Sequence, residues 1–128
     1  MPKIDDLPSA YLQSCRDALT EEQAVSLAAT NGWAHVDRDQ VHADWDEIYR
    51  DLSRNLEERS PDDEDTQELI HRHYRVACRF YTPSPKAYIG MALFYRDNED
   101  MRAFHNGYHE YMVEFLVNAI TSFARHRL

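Results

Sequence analysis

Apolar residues in the middle of the chain recur at the spacing of an amphipathic helix. They lie three or four positions apart over about four helical turns. Asp37 and Gln40 precede them in the order of a helix N-cap and its third residue. The opposite face carries mostly acidic side chains, which is typical of a solvated surface. This is the strongest helix that the sequence predicts, and its periodic positions are Val41, Trp45, Ile48, Leu52 and Leu56.

The second half shows the same periodicity, interrupted by proline, glycine and acidic clusters. We predict helices over about 66–81, 86–95, 101–105 and 108–125. Ser84 and Pro85 suit the cap and the first turn of the second of these. We interpret the acidic run over 61–65 as a solvated loop rather than a metal site. We expect Ser60 to cap the helix that starts in this loop, with Pro61 in its first position.

The pattern is weaker before residue 37. Thr20 and Gln23 fit a capping box, so we expect one short helix before Thr20 and a second after it. Asn31 and Gly32 are a natural left-handed pair that ends the second. We find no β-hairpin signal and no internal repeat.

Few residues are available to build turns. The chain has 128 residues, of which 43% are hydrophobic, with only 3 glycines and 5 prolines. This length suits one domain, and this composition disfavours a turn-rich β architecture. We therefore predict a single all-α domain of five to seven helices.

Acidic residues outnumber basic ones, 23 to 14, which gives a formal net charge of -9. Such a charge repels the phosphate backbone and argues against direct nucleic-acid binding. No stretch approaches the roughly 20 apolar residues of a membrane span, and residues 1–12 lack the order of a secretory signal. We expect a cytoplasmic protein without a membrane or nucleic-acid partner.

Histidines form two close pairs, His71 with His73 and His105 with His109. Two imidazoles four residues apart can share a helical face and bind a metal. However, Asn106 and Gly107 separate the second pair, and spacing fixes no third ligand. We favour an ordinary hydrogen-bonding role, with a metal protein or enzyme using all four as a minor hypothesis.

Nothing else in the sequence demands catalysis. Cys15 and Cys78 are isolated, so we expect two reduced thiols. A nucleophile elbow, a glycine-rich phosphate loop and a paired-carboxylate motif are all missing from the sequence. We predict a protein that is not an enzyme, with no catalytic residue, cofactor or metal.

Aromatic residues are abundant in the helical half. Four phenylalanines at helical spacing are expected in the core: Phe80, Phe94, Phe115 and Phe123. Four tyrosines come from three neighbouring segments: Tyr81, Tyr88, Tyr108 and Tyr111. A phenol combines stacking area with a polar tip, which is the chemistry of ligand clefts. From the residues alone both a cleft and a partly exposed core stay open, and the core is favoured.

The order of features from His71 to Phe123 matches a known pattern. A helix with histidine ends in Phe80-Tyr81, and a proline-containing turn follows. The next helix contains Gly90 and ends in Phe94-Tyr95, and after an acidic turn the last helix carries Ala119-Ile120. This order resembles the TipAS antibiotic-recognition family, the drug-binding effector module of certain MerR-type regulators.

The resemblance implies an all-α, globin-like module that encloses hydrophobic, aromatic or peptide antibiotic-like molecules in a cleft between helices. It implies that residues 1–36 can act as a flexible lid over a binding domain of residues 37–128. With no DNA-binding segment before Asp37, it also implies a stand-alone form that sequesters or senses its ligand. A family member that captures thiopeptides covalently has a cysteine after the aromatic end of the histidine-containing helix. Tyr81 is followed here by Thr82-Pro83-Ser84, so we expect reversible binding.

Aromatic side chains are the expected contacts of this ligand, with one histidine. The candidate binding residues are Trp45, Tyr49, His71, Tyr74, Tyr81, Tyr88, Tyr108 and Tyr111. The alternative hypothesis is a helical interaction module without a small-molecule ligand, whose tyrosines form a homodimer or partner surface.

Overall fold

Six α-helices and two short 3-10 turns make up the computed structural model, which describes residues 3–128. The helices are α1 (Ser9–Ala29), α2 (Arg38–Ser53), α3 (Glu64–Ala77), α4 (Pro85–Asp97), α5 (Glu99–Asn106) and α6 (Met112–Arg127). The 3-10 turns are Ile4–Asp6 and Leu56–Glu58. No strand occurs within residues 3–128. The predicted all-α domain of five to seven helices is therefore confirmed.

Helix α4 lies at the centre of the fold. It packs against α1, α5 and α6, while α2 packs on α3 and α3 packs on α6. Most of its side chains are consequently removed from water, in agreement with a helix that is covered on several sides. Its buried residues are Ala87, Tyr88, Ile89, Gly90, Ala92, Leu93 and Tyr95.

Gly90 allows α1 to approach α4 closely. A β-carbon at this position would lie 2.3 Å from the carbonyl oxygen of Cys15 and 3.0 Å from the β-carbon of Leu19. The first contact is with backbone, which cannot rotate away as a side chain can. The position therefore requires glycine for close packing rather than for an unusual backbone angle.

Two predicted helix caps are present. Asp37 accepts a hydrogen bond from the amide of Gln40 at 3.1 Å, and Ser84 accepts one from Ala87 at 3.1 Å. Both bonds satisfy amide groups that the first helical turn leaves without a partner. The left-handed pair is also confirmed, since Asn31 has φ 52° and Gly32 has φ 70°.

The prediction of two short helices before residue 37 is wrong. Helix α1 is continuous through Thr20, whose hydroxyl donates back to the carbonyl of Arg16 at 3.1 Å instead of capping a new helix. Glu22, expected in a first turn, reaches across to α4 and accepts hydrogen bonds from the amide and hydroxyl of Ser84. Strong helix formers on both sides of Thr20 favour continuation over a break.

Three other boundaries or positions differ from the sequence prediction. Helix α3 begins at Glu64 after Asp63, not after Ser60, because the Asp63 carboxylate turns back to accept from the Ser60 amide at 2.8 Å. The last helix begins at Met112 rather than near 108. Phe94, expected in the core, is 45% exposed because it lies on a face of α4 left uncovered by its neighbours.

Gly90→Ala is expected to destabilise the fold by about 1–3 kcal/mol, because the new methyl group must push α1 away from α4. This is a net effect, since alanine alone would favour an exposed helix by about 1 kcal/mol. Urea unfolding should show a lower midpoint with an unchanged slope.

Gly107→Ala is the matched control for this substitution. Its β-carbon would meet only carbonyl atoms of its own turn, at 3.1 Å and beyond. Equal losses at the two glycines would contradict a specific role for Gly90 in helix docking.

Candidate functional site

An aromatic cleft opens between α2 and α5, with part of α4 as its floor. Its volume is about 530 Å³, within the usual range of small-molecule sites. Two buried rings form the floor, Tyr49 and Tyr95, together with His105. The complete lining is His42, Ala43, Trp45, Asp46, Tyr49, Tyr95, Met101, Phe104, His105 and Tyr108.

Two stripes with the same helical spacing supply most of this lining. On α2 the stripe is His42, Trp45, Asp46 and Tyr49, at positions i, i+3, i+4 and i+7. The second is Met101, Phe104, His105 and Tyr108, along α5 and the turn after it. Residues at this spacing share one helical face. The cleft therefore lies where two ring-bearing faces oppose each other.

Hydrogen bonds fix the floor of the cleft. His105 Nδ1 lies 2.7 Å from the Met101 carbonyl, and His105 Nε2 lies 3.2 Å from the Tyr49 hydroxyl. The same hydroxyl is 2.9 Å from His73 Nε2, and His73 Nδ1 is 2.8 Å from the Tyr88 hydroxyl. Two histidines and two tyrosines thus form one connected network.

The Met101 carbonyl sets the direction of every bond in this network. A carbonyl only accepts, so His105 Nδ1 carries the proton and neutral His105 Nε2 accepts from Tyr49. Tyr49 has then used its single proton and must accept from His73 Nε2. His73 Nδ1 is left without a proton and accepts from Tyr88. One arrangement of protons satisfies all four side chains, and in it the Tyr88 hydroxyl donates to His73 Nδ1 at 2.8 Å rather than to the more distant Ile70 carbonyl at 3.4 Å.

Burial keeps all of these groups uncharged. It lowers the pKa of His73 to about 3, with a smaller contribution from His105 nearby, and it lowers the pKa of His105 as well. Burial also raises the pKa of Tyr49 and Tyr88 well above the ordinary phenol value and that of Tyr95 to about 12. At neutral pH the floor is therefore polar but carries no charge.

Trp45 forms one side wall of the cleft. Its indole Nε1 donates to the His73 carbonyl at 3.2 Å, and its ring stacks on the His73 ring at a centroid distance of 5.3 Å. The Trp45 ring also stacks on Phe80, at a centroid distance of 6.0 Å. These contacts hold the indole in one orientation.

The rim combines a carboxylate with a phenol. Tyr108 donates to Asp46 at 2.5 Å, and Asp46 also accepts from Arg50 at 2.7 Å. The Tyr108 hydrogen bond is the main cause that lowers the pKa of Asp46. Burial, followed by Asp46, raises the pKa of Tyr108 to about 12. Asp46 is therefore ionised and Tyr108 protonated across the neutral range.

Phe104 completes the mouth of the cleft and is 55% exposed. Its ring meets those of His105 and Tyr108 edge to face, at 5.1 Å and 5.8 Å. A ligand in the cleft would cover this apolar ring. The mouth thus offers hydrophobic surface that the fold itself leaves in contact with water.

A second, more open cavity of about 610 Å³ lies between α1 and the turn after α3. Phe80 and Tyr81 line it, together with Glu22, Val25 and other residues of α1. The Tyr81 hydroxyl is buried without a hydrogen-bond partner. Because Phe80 stacks on Trp45, this cavity is separated from the cleft by two rings.

The structure distributes the eight candidate binding residues over several places. Trp45, Tyr49 and Tyr108 line the cleft, whereas Tyr81 lines the second cavity. The other four do not line the cleft. Tyr88 is fully buried behind its floor, and Tyr74 donates to the Pro83 carbonyl at 2.7 Å. His71 and Tyr111 are exposed; His71 packs on Phe123, and Tyr111 borders a small separate pocket.

Sequence reasoning did not select several cleft residues. They are His42, Ala43, Asp46, Tyr95, Met101, Phe104 and His105. The i, i+3, i+4, i+7 spacing around Trp45 and Phe104 could have grouped these residues on two helical faces. The α2 group was overlooked because Asp46 lies on a helix whose acidic residues are mostly solvated.

Neither cysteine has the electrostatic environment of a reactive thiol. Burial raises the pKa of both Cys15 and Cys78, which disfavours the thiolate. Within residues 3–128, no group of three or more His, Cys, Asp or Glu side chains is arranged to hold a metal ion. None of the helices in that range is both long and apolar enough to cross a bilayer.

Most of the chain matches the model of a known protein family. The model of the TipAS antibiotic-recognition domain matches residues 16–123, which is most of the chain. No match was found among curated proteins or among solved structures.

Tyr49→Phe is expected to lower the free energy of unfolding by about 2–4 kcal/mol. It leaves the His73 Nε2 proton and the His105 Nε2 lone pair without their partner in a buried site. Chemical denaturation measures the loss. Tyr111→Phe removes the same hydroxyl from an exposed ring and should change stability little; similar losses in both variants would argue against the network.

Stability is expected to fall as the pH is lowered from about 6.5 to 5. The unfolded chain protonates its histidines below about pH 6.5, whereas burial lowers the pKa of His73 to about 3 and also lowers the pKa of His105 in the folded chain. Each excluded proton contributes up to about 1.4 kcal/mol per pH unit. Denaturant unfolding at several pH values measures the slope of the free energy of unfolding against pH.

His105→Gln should reduce this slope, and the exposed His126→Gln should leave it as in the unmodified protein. A free energy of unfolding that stays constant or rises from pH 6.5 to 5 would show that the buried imidazoles accept protons in the fold.

Proposed function

Because the chain belongs to the TipAS antibiotic-recognition family, we propose that it binds hydrophobic, aromatic or peptide antibiotic-like molecules reversibly in the cleft between α2 and α5. In this proposal binding is non-catalytic and serves sequestration or sensing. The observation that carries it is the cleft itself, a concave aromatic surface whose mouth exposes Phe104.

The cleft has the properties of a preformed small-molecule site. Its floor is held by directional hydrogen bonds and its wall by the stacked Trp45 ring, so little side-chain entropy remains to be lost on binding. Aromatic rings supply most of its surface, and few polar groups converge on it. Such a site favours apolar ligands and orients them through its polar rim.

Reversible binding agrees with the thiol chemistry. Cys78 lies one position beyond α3 and does not line the cleft, and burial raises its pKa. Thiol addition to a bound drug requires an accessible thiolate. Neither cysteine meets this requirement at the cleft.

A lid role for residues 1–36 over a binding domain of residues 37–128 stays a prediction. In this structure α1 is docked on α4 through Gly90 and through the Glu22 contacts with Ser84. Opening of such a lid would have to break these contacts.

The dimer alternative has less support. Of the 8 tyrosines, all of which lie within residues 3–128, Tyr111 is the one that is largely exposed, at 53%. A tyrosine-rich partner surface would need several exposed rings. Sedimentation at several concentrations tests whether a dimer forms.

Ligand binding is expected to change the fluorescence of Trp45 and to raise the thermal midpoint when a panel of aromatic and peptide antibiotics is titrated. Trp33→Phe should preserve the fluorescence response, because Trp33 lies outside the cleft lining. Trp45→Phe should abolish it. A panel without any response or thermal stabilisation would contradict the proposed function.

Phe104→Ala is expected to lower the affinity for a ligand found in this panel about tenfold, because the ring lies at the mouth of the cleft. Phe94→Ala removes another exposed phenylalanine, 45% exposed, that does not line the cleft. It should leave affinity unchanged. Equal effects of the two substitutions would place the ligand elsewhere on the molecule.

A further inference from the structure

Apart from the histidines His42 and His105, the cleft lining contains one formally charged side chain, and it is acidic. Within residues 3–128, neither lysine nor arginine contributes to this lining. Burial lowers the pKa of His105, so this imidazole is neutral in the floor. Asp46 is ionised at the rim because Tyr108 donates to it. The cleft therefore has a negative end.

Aromatic rings supply much of the rest of the cleft lining. Trp45, Tyr49, Tyr95, Phe104 and Tyr108 all contribute to its lining. The face of an aromatic ring carries partial negative charge, and a cation over several such faces is attracted by each of them. The attraction is strongest for soft, weakly hydrated cations, which lose little on leaving water.

Both carboxylate oxygens of Asp46 have a partner, Oδ1 in the Tyr108 hydroxyl and Oδ2 in Arg50, and a ligand cation would compete with Arg50. Arg50 contacts the Asp46 carboxylate from the outer surface of α2, and its side chain is 69% exposed. An ion pair so exposed to water contributes little to stability. A cation inside the cleft approaches the same carboxylate from the less hydrated side, where the attraction is less screened.

We propose that the cleft is selective for lipophilic cations, in which an ammonium or similar group lies between the Trp45, Phe104 and Tyr108 rings and next to the Asp46 carboxylate. This inference rests on the proposed function and names the chemical class of its ligand. The apolar part of such a ligand covers the exposed face of Phe104. Anions of the same shape are repelled by Asp46 and by the ring faces.

Two probes of the same shape test this selectivity. Benzyltrimethylammonium carries a positive nitrogen where neopentylbenzene has a neutral carbon. Titration of the ¹⁵N-labelled protein, followed at the indole resonances of Trp45 and Trp33, reports both binding and its location. We expect both probes to shift the Trp45 resonance and to leave that of Trp33 in place.

Asp46→Asn separates the charge from the shape of the site, since its amide oxygen can still accept from Tyr108. The substitution should lower the affinity for benzyltrimethylammonium by about three- to tenfold and change the affinity for neopentylbenzene by less than about twofold. Glu47→Gln is the matched control. It removes the same charge from the next position on α2, where Glu47 faces Arg72 at 3.6 Å instead of the cleft.

The outcomes distinguish this inference from the proposed function. If Asp46→Asn leaves the affinity of the cation unchanged, or if Glu47→Gln lowers it equally, selectivity for cations is overturned while binding in the cleft stands. If neither probe shifts the Trp45 resonance but a compound of the antibiotic panel does, selectivity for lipophilic cations is overturned and binding in the cleft stands. If neither the probes nor the panel shift it, both proposals are overturned.

Discussion

The hydroxyl of Tyr49 is the group on which the interior of this fold depends. It accepts from His73 and donates to His105, and so it joins α2 to α3 and α5. Both imidazoles are buried and neutral, so each must find one donor and one acceptor within the protein. Since the Met101 carbonyl fixes the first proton, the positions of all the others follow. The helices around this hydroxyl are thereby held at one distance and in one register.

The cleft is a consequence of this arrangement. Helices α2 and α5 meet at the level of Tyr49 and His105, but their next residues outward, Trp45 and Phe104, do not close over the gap. Hydrogen bonds hold the Tyr49 and His105 rings in place at this level. The gap between the two helices therefore stays open on one side, with aromatic rings fixed along it.

Sequence periodicity predicted the helices better than it predicted the site. Spacing indicates which residues of one helix share a face, and it located α2 and α4 closely. It does not indicate which face of another helix lies opposite, so Tyr88 and Tyr108 looked equivalent although Tyr88 is buried and Tyr108 borders the cleft.

The continuous helix α1 was missed because Thr20 and Gln23 have the residue types of a capping box. Only the contact of Glu22 with Ser84 shows that no helix begins there. Family resemblance supplied the expectation of a cleft, and tertiary contacts were needed to identify its lining.

The acidic face of α2 shows how one pattern can contain two functions. Asp44 faces Arg79 at 2.6 Å, and Asp51 and Glu47 lie near Arg72, so these carboxylates contribute to a solvated ion-pair surface between α2 and α3. Asp46 has the same chemistry and nearly the same position along the chain. However, a rotation of about 100° per residue carries it to the face that Trp45 and Tyr49 occupy. Most acidic residues of α2 therefore lie on a solvated surface, as the sequence pattern indicates. One of them, Asp46, lies at the cleft and gives it a negative charge.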